Sequence, residues 1–203
     1  MSELLSGTNL CLLRGDRCLF KELQFALSAG ELMLVQGPNG SGKTSLLRAI
    51  AGLLGLEDGY ISWQGVRTES DRQPFSADLV WLAHRVGFKG DLTLIENLRF
   101  ESGLRSTRFE DLDKILERFG LTRLTGLPMR SLSAGQQRRV ALARMLISDA
   151  RVWLMDEPFA NLDAAGHILV LELITEHLAK NGICVVAAHQ DVEIEAPTQR
   201  IQL

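Results

Sequence analysis

The sequence has little of several residue types, and each shortage excludes a class of protein. Its three cysteines, Cys11, Cys18 and Cys184, are scattered, odd in number and without metal-ligand spacing, so they predict neither a disulfide framework nor a zinc site. No stretch is strongly basic and the formal net charge is −3. Nucleic acid is therefore not expected as a partner, because neutralising its phosphates needs clustered Lys and Arg.

No window approaches the ~20 apolar residues of a membrane-spanning helix, and no signal peptide is expected at the N-terminus. Any membrane association is expected to come through a partner.

Length and composition are those of an ordinary globular protein. The chain has 203 residues, of which 46% are hydrophobic and 23% charged. These values fit one domain with a sizeable core and exclude disordered and fibrous classes. We expect a single domain over residues 1–203.

Residues 37–44 follow a short apolar run and precede a segment with helical spacing. The run 32–35 predicts a buried parallel strand, and the following helix is expected to end at Gly52. Glycines in the loop allow consecutive amides to turn towards an anion at the positive end of the helix. A chance glycine-rich turn is the alternative, but strand, loop, Lys-Thr pair and helix together are typical of a phosphate-binding loop. The predicted nucleotide ligands are Gly37, Pro38, Asn39, Gly40, Ser41, Gly42, Lys43 and Thr44. Lys43 is expected to act on the β- and γ-phosphates of ATP and Thr44 to bind Mg²⁺.

A second apolar strand, residues 152–155, ends in Asp156 and Glu157. At the carboxyl edge of a parallel sheet, Asp156 is expected beside the phosphate loop, where it can hold Mg²⁺ through its water shell. Glu157 is expected to orient and polarise the water that attacks the γ-phosphate. The alternative is a strand that merely ends in two solvated acids.

Hydrophobic periodicity predicts the remaining elements. Strands are expected near residues 9–13, 23–27, 60–65, 79–83, 183–188 and 200–203, and residues 67–76 are expected to form an exposed loop. Helices are expected near residues 92–99, 109–119, 134–147 and 164–180, the last one stopped by Gly182. The first two strands form an antiparallel β lead-in, and three of the helices form an insertion in an α/β P-loop NTPase core. The predicted core comprises residues 1–84 and 151–203, and the helical subdomain about 85–150.

Residues 132–139 read Leu-Ser-Ala-Gly-Gln-Gln-Arg-Arg and lie shortly before the carboxylate strand. Serine and glycine at a helix start make a second anion site, although an N-capped helix with no further role fits the same residues. The segment resembles the signature sequence of ATP-binding cassette (ABC) ATPases, with Ala134 where glycine is usual. The resemblance implies the ABC ATPase type of fold and a dimer that encloses two ATP molecules. In that dimer Ser133, Gly135 and Gln136 contact the nucleotide held by the other copy.

Two further sequence features resemble motifs of the same family. Residues 161–163 resemble the loop that crosses the dimer interface. His189 follows a strand and resembles the histidine that contacts the γ-phosphate, which implies a catalytic role beside Glu157 and Lys43. A histidine in this position can also be incidental.

Two positions depart from the family pattern. His84 stands where glutamine usually touches Mg²⁺, and a neutral imidazole nitrogen can still accept a hydrogen bond from metal-bound water. Arg14 stands where an aromatic residue usually stacks on adenine. A guanidinium plane can stack on a base, and Leu13 or Phe20 are the alternatives for this contact.

The sequence also resembles the cytochrome c maturation A family of small ATP-binding subunits. The short segment after His189, the histidine at position 84 and residues 132–144 carry this similarity. It implies an ATP hydrolase and translocase at the cytoplasmic face of a bacterial inner membrane, acting in c-type cytochrome biogenesis by haem export or release of a haem-loaded chaperone. The implied partners are a permease subunit of the cytochrome c maturation B type and further maturation proteins.

Phe88 is expected in the groove that receives a helix of the permease, although packing alone would also explain residues 86–88. The alternatives for function are the ATPase subunit of another small exporter and a soluble non-transport ABC ATPase.

Overall fold

Nine strands form two sheets in the computed structural model, which describes residues 3–102, 109–189 and 192–203. An antiparallel sheet has the order β2-β1-β4-β5, and a parallel sheet has the order β6-β7-β8-β3-β9. The strands are β1 Leu5–Arg14, β2 Arg17–Leu27, β3 Leu32–Gln36, β4 Asp58–Trp63, β5 Val66–Arg67, β6 Leu79–Leu82, β7 Val152–Asp156, β8 Ile183–Ala187 and β9 Thr198–Gln202.

The parallel sheet is apolar on both faces because it separates two hydrophobic cores. Along β3, Leu32 and Leu34 pack in one core while Met33 and Val35 pack in the other, and all four are fully buried. Such continuous apolar runs are typical of strands covered on both sides. One core includes the antiparallel sheet and the helix after β3, and the other includes the helices between β6 and β7 and the helix after β7.

Six α-helices accompany the strands in the described ranges. They are α1 Lys43–Ile50, α2 Arg72–Asp78, α3 Leu94–Ser102, α4 Leu112–Arg118, α5 Ala134–Ile147 and α6 Ala164–Ala179. Three of them, α3 to α5, lie between β6 and β7 in the chain. In the described part of the chain, no helix has both the length and the apolar character needed to cross a membrane.

Strand order determines which loops meet. The carboxyl ends of β3, β6, β7 and β8 lie on the same edge because the strands are parallel. The phosphate loop follows β3, His84 follows β6, Asp156 ends β7 and His189 follows β8. The fold therefore brings together four segments that are far apart in sequence.

Most predicted elements are confirmed, with shifted ends. Helix α5 has the predicted bounds, and the strand expected near residues 200–203 is β9, which lies at one edge of the parallel sheet. Helix α3 begins with a capping box. Thr93 Oγ1 accepts a hydrogen bond from the Glu96 amide at 3.2 Å, and Glu96 accepts one from the Thr93 amide at 2.8 Å. The helix predicted at 109–119 is a short 3₁₀ turn, Phe109–Asp111, followed by α4.

The exposed loop predicted at 67–76 is wrong, because helix α2 occupies much of it. Asp71 caps this helix by accepting a hydrogen bond from the Gln73 amide at 3.3 Å. Pro74 lies in the first turn, where no intrahelical amide bond is needed. Phe75 is 2% exposed and packs against Trp63 with ring centroids 5.7 Å apart. One buried aromatic residue thus anchors a segment that is otherwise polar.

The prediction that Gly182 stops helix α6 is also wrong. The residue that leaves α6 in a left-handed conformation is Asn181, with φ 63°. Gly182 is required instead by a close approach, because a Cβ there would lie 2.2 Å from His177 Nε2.

The cysteines differ from one another in burial. Cys184 is buried, Cys11 is partly buried and Cys18 is exposed. Burial raises the pKa of the Cys184 thiol.

Candidate functional site

The phosphate loop has the backbone that its glycines predict. Gly37, Gly40 and Gly42 have φ values of 149°, 78° and 118°, which side chains rarely adopt. Lys43 is 6% exposed, and its Nζ donates to the carbonyls of Gly37 at 2.7 Å and Pro38 at 3.1 Å. The buried Ser41 hydroxyl has no hydrogen-bond partner among the described residues. A buried donor without a partner is costly, so the loop offers an anion a hydroxyl as well as an ammonium group.

Thr44 and Asp156 meet at the first turn of α1. Thr44 Oγ1 lies 2.9 Å from Asp156 Oδ2 and 3.1 Å from Oδ1, and Asp156 is 2% exposed. A hydroxyl and a carboxylate are the hard oxygen donors that Mg²⁺ prefers, and Mg²⁺ usually completes its shell with waters and substrate phosphates. Within the described ranges, no group of three His, Cys, Asp or Glu side chains could hold a metal ion by itself. The donor set therefore fits Mg²⁺ bound together with a nucleotide.

His189 connects Lys43 to Glu157. Lys43 Nζ lies 3.3 Å from His189 Nδ1, and His189 Nε2 lies 3.1 Å from Glu157 Oε1. An ammonium group only donates, so Nδ1 must accept and Nε2 must carry the proton that it donates to Glu157. This assigns the neutral Nε2–H tautomer and links the three residues predicted to be catalytic in one chain of hydrogen bonds.

The backbone of Glu157 is also unusual. Its φ is 49°, a left-handed conformation that is uncommon for a residue other than glycine. Its amide donates to the Ala187 carbonyl at 2.9 Å.

One cleft of about 260 Å³ contains most of the predicted nucleotide and metal residues. Arg14 and His84 lie on its wall, as does Leu19, which the sequence reasoning missed. Of the alternatives for the base contact, Leu13 is 43% exposed and does not line the cleft, while Phe20 is 7% exposed. In the sequence, Leu19 could have been found from its place in a strand next to Phe20. In the structure it faces the phosphate loop, where a Cβ on Gly42 would lie 3.3 Å from Leu19 Cβ.

The signature residues lie in a different cleft, of about 460 Å³. Ser133 caps α5 in a reciprocal capping box: its Oγ accepts from the Gln136 amide at 3.2 Å, and Gln136 Oε1 accepts from the Ser133 amide at 2.9 Å. The hydroxyl proton of Ser133 stays available to a ligand. Gly135 approaches the interface loop so closely that a Cβ would lie 3.0 Å from the Asn161 carbonyl oxygen.

Asp163 forms the other side of this second cleft. Its carboxylate accepts from the Gly166 amide at 2.8 Å and pairs with Arg139 at 3.2 Å. The Gly166 hydrogen bond is the main cause that lowers the pKa of Asp163. Within one chain, the signature residues and the phosphate loop therefore line two different clefts.

Arg138 is a buried residue of α5 to which sequence reasoning assigned no role in the site. It is 3% exposed and donates to backbone carbonyls at the ends of β6 and β7. Burial lowers its pKa to about 10, which still leaves it charged at neutral pH. An arginine in a helix gives no sequence signal of burial, because such residues usually cover solvent-exposed faces.

A third depression, of about 320 Å³, lies beside His84. Phe88 lines it, packs partly against the helical core and lies under Arg144, whose guanidinium carbon is 5.2 Å from the ring centroid. Residues 84–88 therefore connect the nucleotide cleft to this groove.

Comparison with known proteins identifies the family. The family model described as ABC transporter matches residues 20–160. The chain is 44% identical over 205 residues to the cytochrome c biogenesis ATP-binding export protein CcmA of Nitrosospira multiformis, covering 98% of both chains. It is 41% identical over 199 residues to the CcmA protein of Vibrio parahaemolyticus, covering 97% of both chains.

Solved structures share the fold at lower identity. An ABC transporter ATP-binding protein from Pyrococcus furiosus superposes with a TM-score of 0.83 at 23% identity, covering 97% of this chain and 96% of the other. An ATP-binding subunit of an ABC transporter superposes with a TM-score of 0.84 at 23% identity, covering 92% and 79%. The chain therefore belongs to the ABC transporter family of ATP-binding proteins, among its CcmA members.

Proposed function

We propose that this ABC ATPase hydrolyses Mg²⁺-ATP at the cleft between the phosphate loop and Glu157. The observation that carries the proposal is the convergence of Lys43, Thr44, Asp156, Glu157 and His189 at one sheet edge. Three strands supply these residues or the loops that contain them.

Each group has a task that follows from its contacts. Lys43 exchanges the carbonyls of Gly37 and Pro38 for phosphate oxygens when the triphosphate enters, and the Ser41 hydroxyl gains an acceptor. Thr44 and Asp156 would hold Mg²⁺, which when bound neutralises charge on the phosphates. His84 lines the same cleft and is placed to accept from a metal-bound water.

Glu157 and His189 act on the attacking water. The Glu157 side chain is 22% exposed, so water reaches its carboxylate. The carboxylate accepts a proton from that water while His189 holds it in place through the Nε2–H bond. Once Lys43 moves to the phosphates, His189 Nδ1 loses its ammonium donor. A hydrogen bond from His189 to the γ-phosphate then requires a proton on the ring nitrogen that faces it, because an unprotonated nitrogen and a phosphate oxygen are both acceptors.

We further propose that two copies complete each site. The signature cleft presents Ser133, Gly135 and Gln136 at a helix N-terminus, away from the nucleotide cleft of the same chain. Amides and a free hydroxyl proton at a helix N-terminus favour an anion, and the γ-phosphate held by a second copy fits this chemistry. Arg14 and Leu19 are proposed to contact adenine.

The groove beside His84 is proposed to receive a cytoplasmic helix of a membrane permease subunit of the cytochrome c maturation B type. Phe88 and Met129 give it an apolar floor, and Arg85 and Arg130 give it a charged rim. Residues 85–150 are proposed to move as a helical subdomain when the permease moves. We propose that the protein lies at the cytoplasmic face of the inner membrane, held there by its partner.

The proposed process is c-type cytochrome biogenesis, because relatives with 41–44% identity are named for it. ATP hydrolysis would drive haem export or release of a haem-loaded chaperone, together with further maturation proteins. In this proposal the membrane subunits select the transported compound, and this chain supplies the energy.

The experiment is a pull-down of the tagged chain from its native membrane, followed by ATPase assays on the recovered complex. We expect a multi-span permease and cytochrome maturation proteins in the wild-type sample, and hydrolysis that Glu157→Gln abolishes without loss of ATP binding. Recovery of ribosomes or nucleic acid without a membrane protein would exclude the transporter function. Full hydrolysis by Glu157→Gln would remove Glu157 from its role.

A further inference from the structure

Arg138 lies on α5, five residues after Ser133, but points into the protein rather than towards the signature cleft. It is 3% exposed and is one of the few buried charged side chains in the described ranges. Coulombic attraction to Asp156 and Glu157 partly opposes the lowering of its pKa by burial. Its hydrogen bonds, however, go to the backbone and leave both carboxylates to their own partners.

The guanidinium group of Arg138 donates hydrogen bonds to four backbone carbonyls, which lie at the ends of two strands. Nη1 donates to Ala83 at 2.9 Å, directly before His84. Nη2 donates to Asp156 at 2.9 Å and also to Glu157, and Nε donates to Pro158 at 3.3 Å. A planar group with five donors in fixed directions can satisfy such a set, and no other side chain has this geometry.

The Glu157 carbonyl is the important member of this set. Glu157 has φ 49°, a left-handed conformation that a residue other than glycine keeps only when the surrounding structure holds it there. Its amide is held by the Ala187 carbonyl, and its carbonyl accepts from Arg138 and from the Ala160 amide at 3.1 Å. Arg138 is therefore the side chain that holds the peptide whose conformation directs the Glu157 carboxylate towards His189.

We propose that Arg138 is a positioning residue for ATP hydrolysis, which fixes the left-handed backbone of Glu157 and ties it to His84 and the signature helix. Because Arg138 touches neither the nucleotide cleft nor Lys43, its effect falls on the chemical step and not on ATP binding. The inference rests on the proposed hydrolytic role of Glu157.

Two substitutions separate this role from general stability. Arg138→Gln keeps a good helix former but loses the fork of donors. Arg138→Lys keeps the charge and up to three donors. The matched control is Arg118→Gln, which removes a two-bond ion pair to Glu176 at 2.7 and 2.9 Å. Neither residue lines the nucleotide cleft.

The measurement is steady-state ATP hydrolysis by the full chain in its membrane complex, with kcat and KM determined separately and folding checked by circular dichroism. For Arg138→Gln we expect kcat to fall about 10- to 100-fold, because a misplacement of about 1 Å costs this much, and KM to stay within about threefold. Arg138→Lys is expected to recover part of kcat, and Arg118→Gln to match the wild type.

Several results would overturn the inference. They are a wild-type kcat in folded Arg138→Gln, a KM that rises as much as kcat falls, or a kcat in Arg138→Lys no higher than in Arg138→Gln. If Arg138→Gln does not fold, a wild-type kcat in folded Arg138→Lys has the same meaning. A wild-type complex without any ATPase activity would instead refute the proposed function, which keeps the two failures distinct.

Discussion

His177 predicts a specific loss of stability in acid. Its ring stacks on Trp153 with centroids 4.0 Å apart and planes 11° apart. Nε2 lies 3.2 Å from the Arg151 carbonyl and 3.3 Å from the Ile183 carbonyl. Both partners are acceptors, so Nε2 carries a proton and the ring is neutral with Nδ1 unprotonated. Burial is the main cause that lowers the pKa of His177 from 6.5 to about 4.

The sign and size of the effect follow from linkage. A histidine with a depressed pKa binds protons more readily in the unfolded chain, so its contribution is fully present above about pH 6.5 and is lost as the pH falls towards 4. The free energy of unfolding should fall by about 2 kcal/mol from this group by pH 5 and by about 3 kcal/mol at still lower pH.

The assay is urea unfolding at pH 7.5 and pH 5 for the wild type, His177→Gln and His167→Gln. His167 is the control because it lies on the same helix and contacts a carbonyl, that of Phe159 at 3.1 Å. We expect His177→Gln to lose about 2 kcal/mol less than the wild type between these pH values. If His177→Gln and His167→Gln show the same loss, the reasoning about His177 is refuted.

Three further substitutions have defined outcomes. Lys43→Ala should weaken ATP binding at least tenfold in calorimetry, because the loss of a charge-assisted contact of about 1.4 kcal/mol corresponds to that factor. An unchanged affinity for ATP would contradict the phosphate-loop assignment. Gly182→Ala should destabilise the fold by about 2 kcal/mol, since the new Cβ displaces the His177 ring from its two carbonyls, and a wild-type urea midpoint would show that the ring moves freely. Phe75→Ala should cost about 3 kcal/mol because Phe75 is 2% exposed, and a loss below 1 kcal/mol would mean that α2 packs loosely.

Sequence reasoning predicts best where one rule dominates. The buried strands have continuous apolar runs, and α5 has both a serine cap and helical spacing, so their positions follow from local pattern. The phosphate loop is equally local, because glycines, lysine and threonine must follow one another for the backbone to turn around an anion.

The missed features depend on contacts between distant residues. Helix α2 has a single buried anchor, Phe75, whose partner Trp63 comes from another element. Burial of Arg138 follows from carbonyls at residues 83 and 156–158, which only the sheet order brings together. Gly182 has the sequence position of a helix stop, but its missing side chain makes room for the ring of His177, five residues earlier. Periodicity contains no information about such tertiary contacts.

A mixing experiment tests most directly whether two copies share each site. Lys43→Ala disables the phosphate loop of its own chain, while Ser133→Arg disables the helix N-terminus offered to the other chain. Neither variant alone can assemble an intact site in a dimer, but a mixed pair contains one site with both halves intact. We predict ATP hydrolysis in the mixture that clearly exceeds both separate samples. Hydrolysis in the mixture no higher than in the two variants measured apart would contradict a shared site.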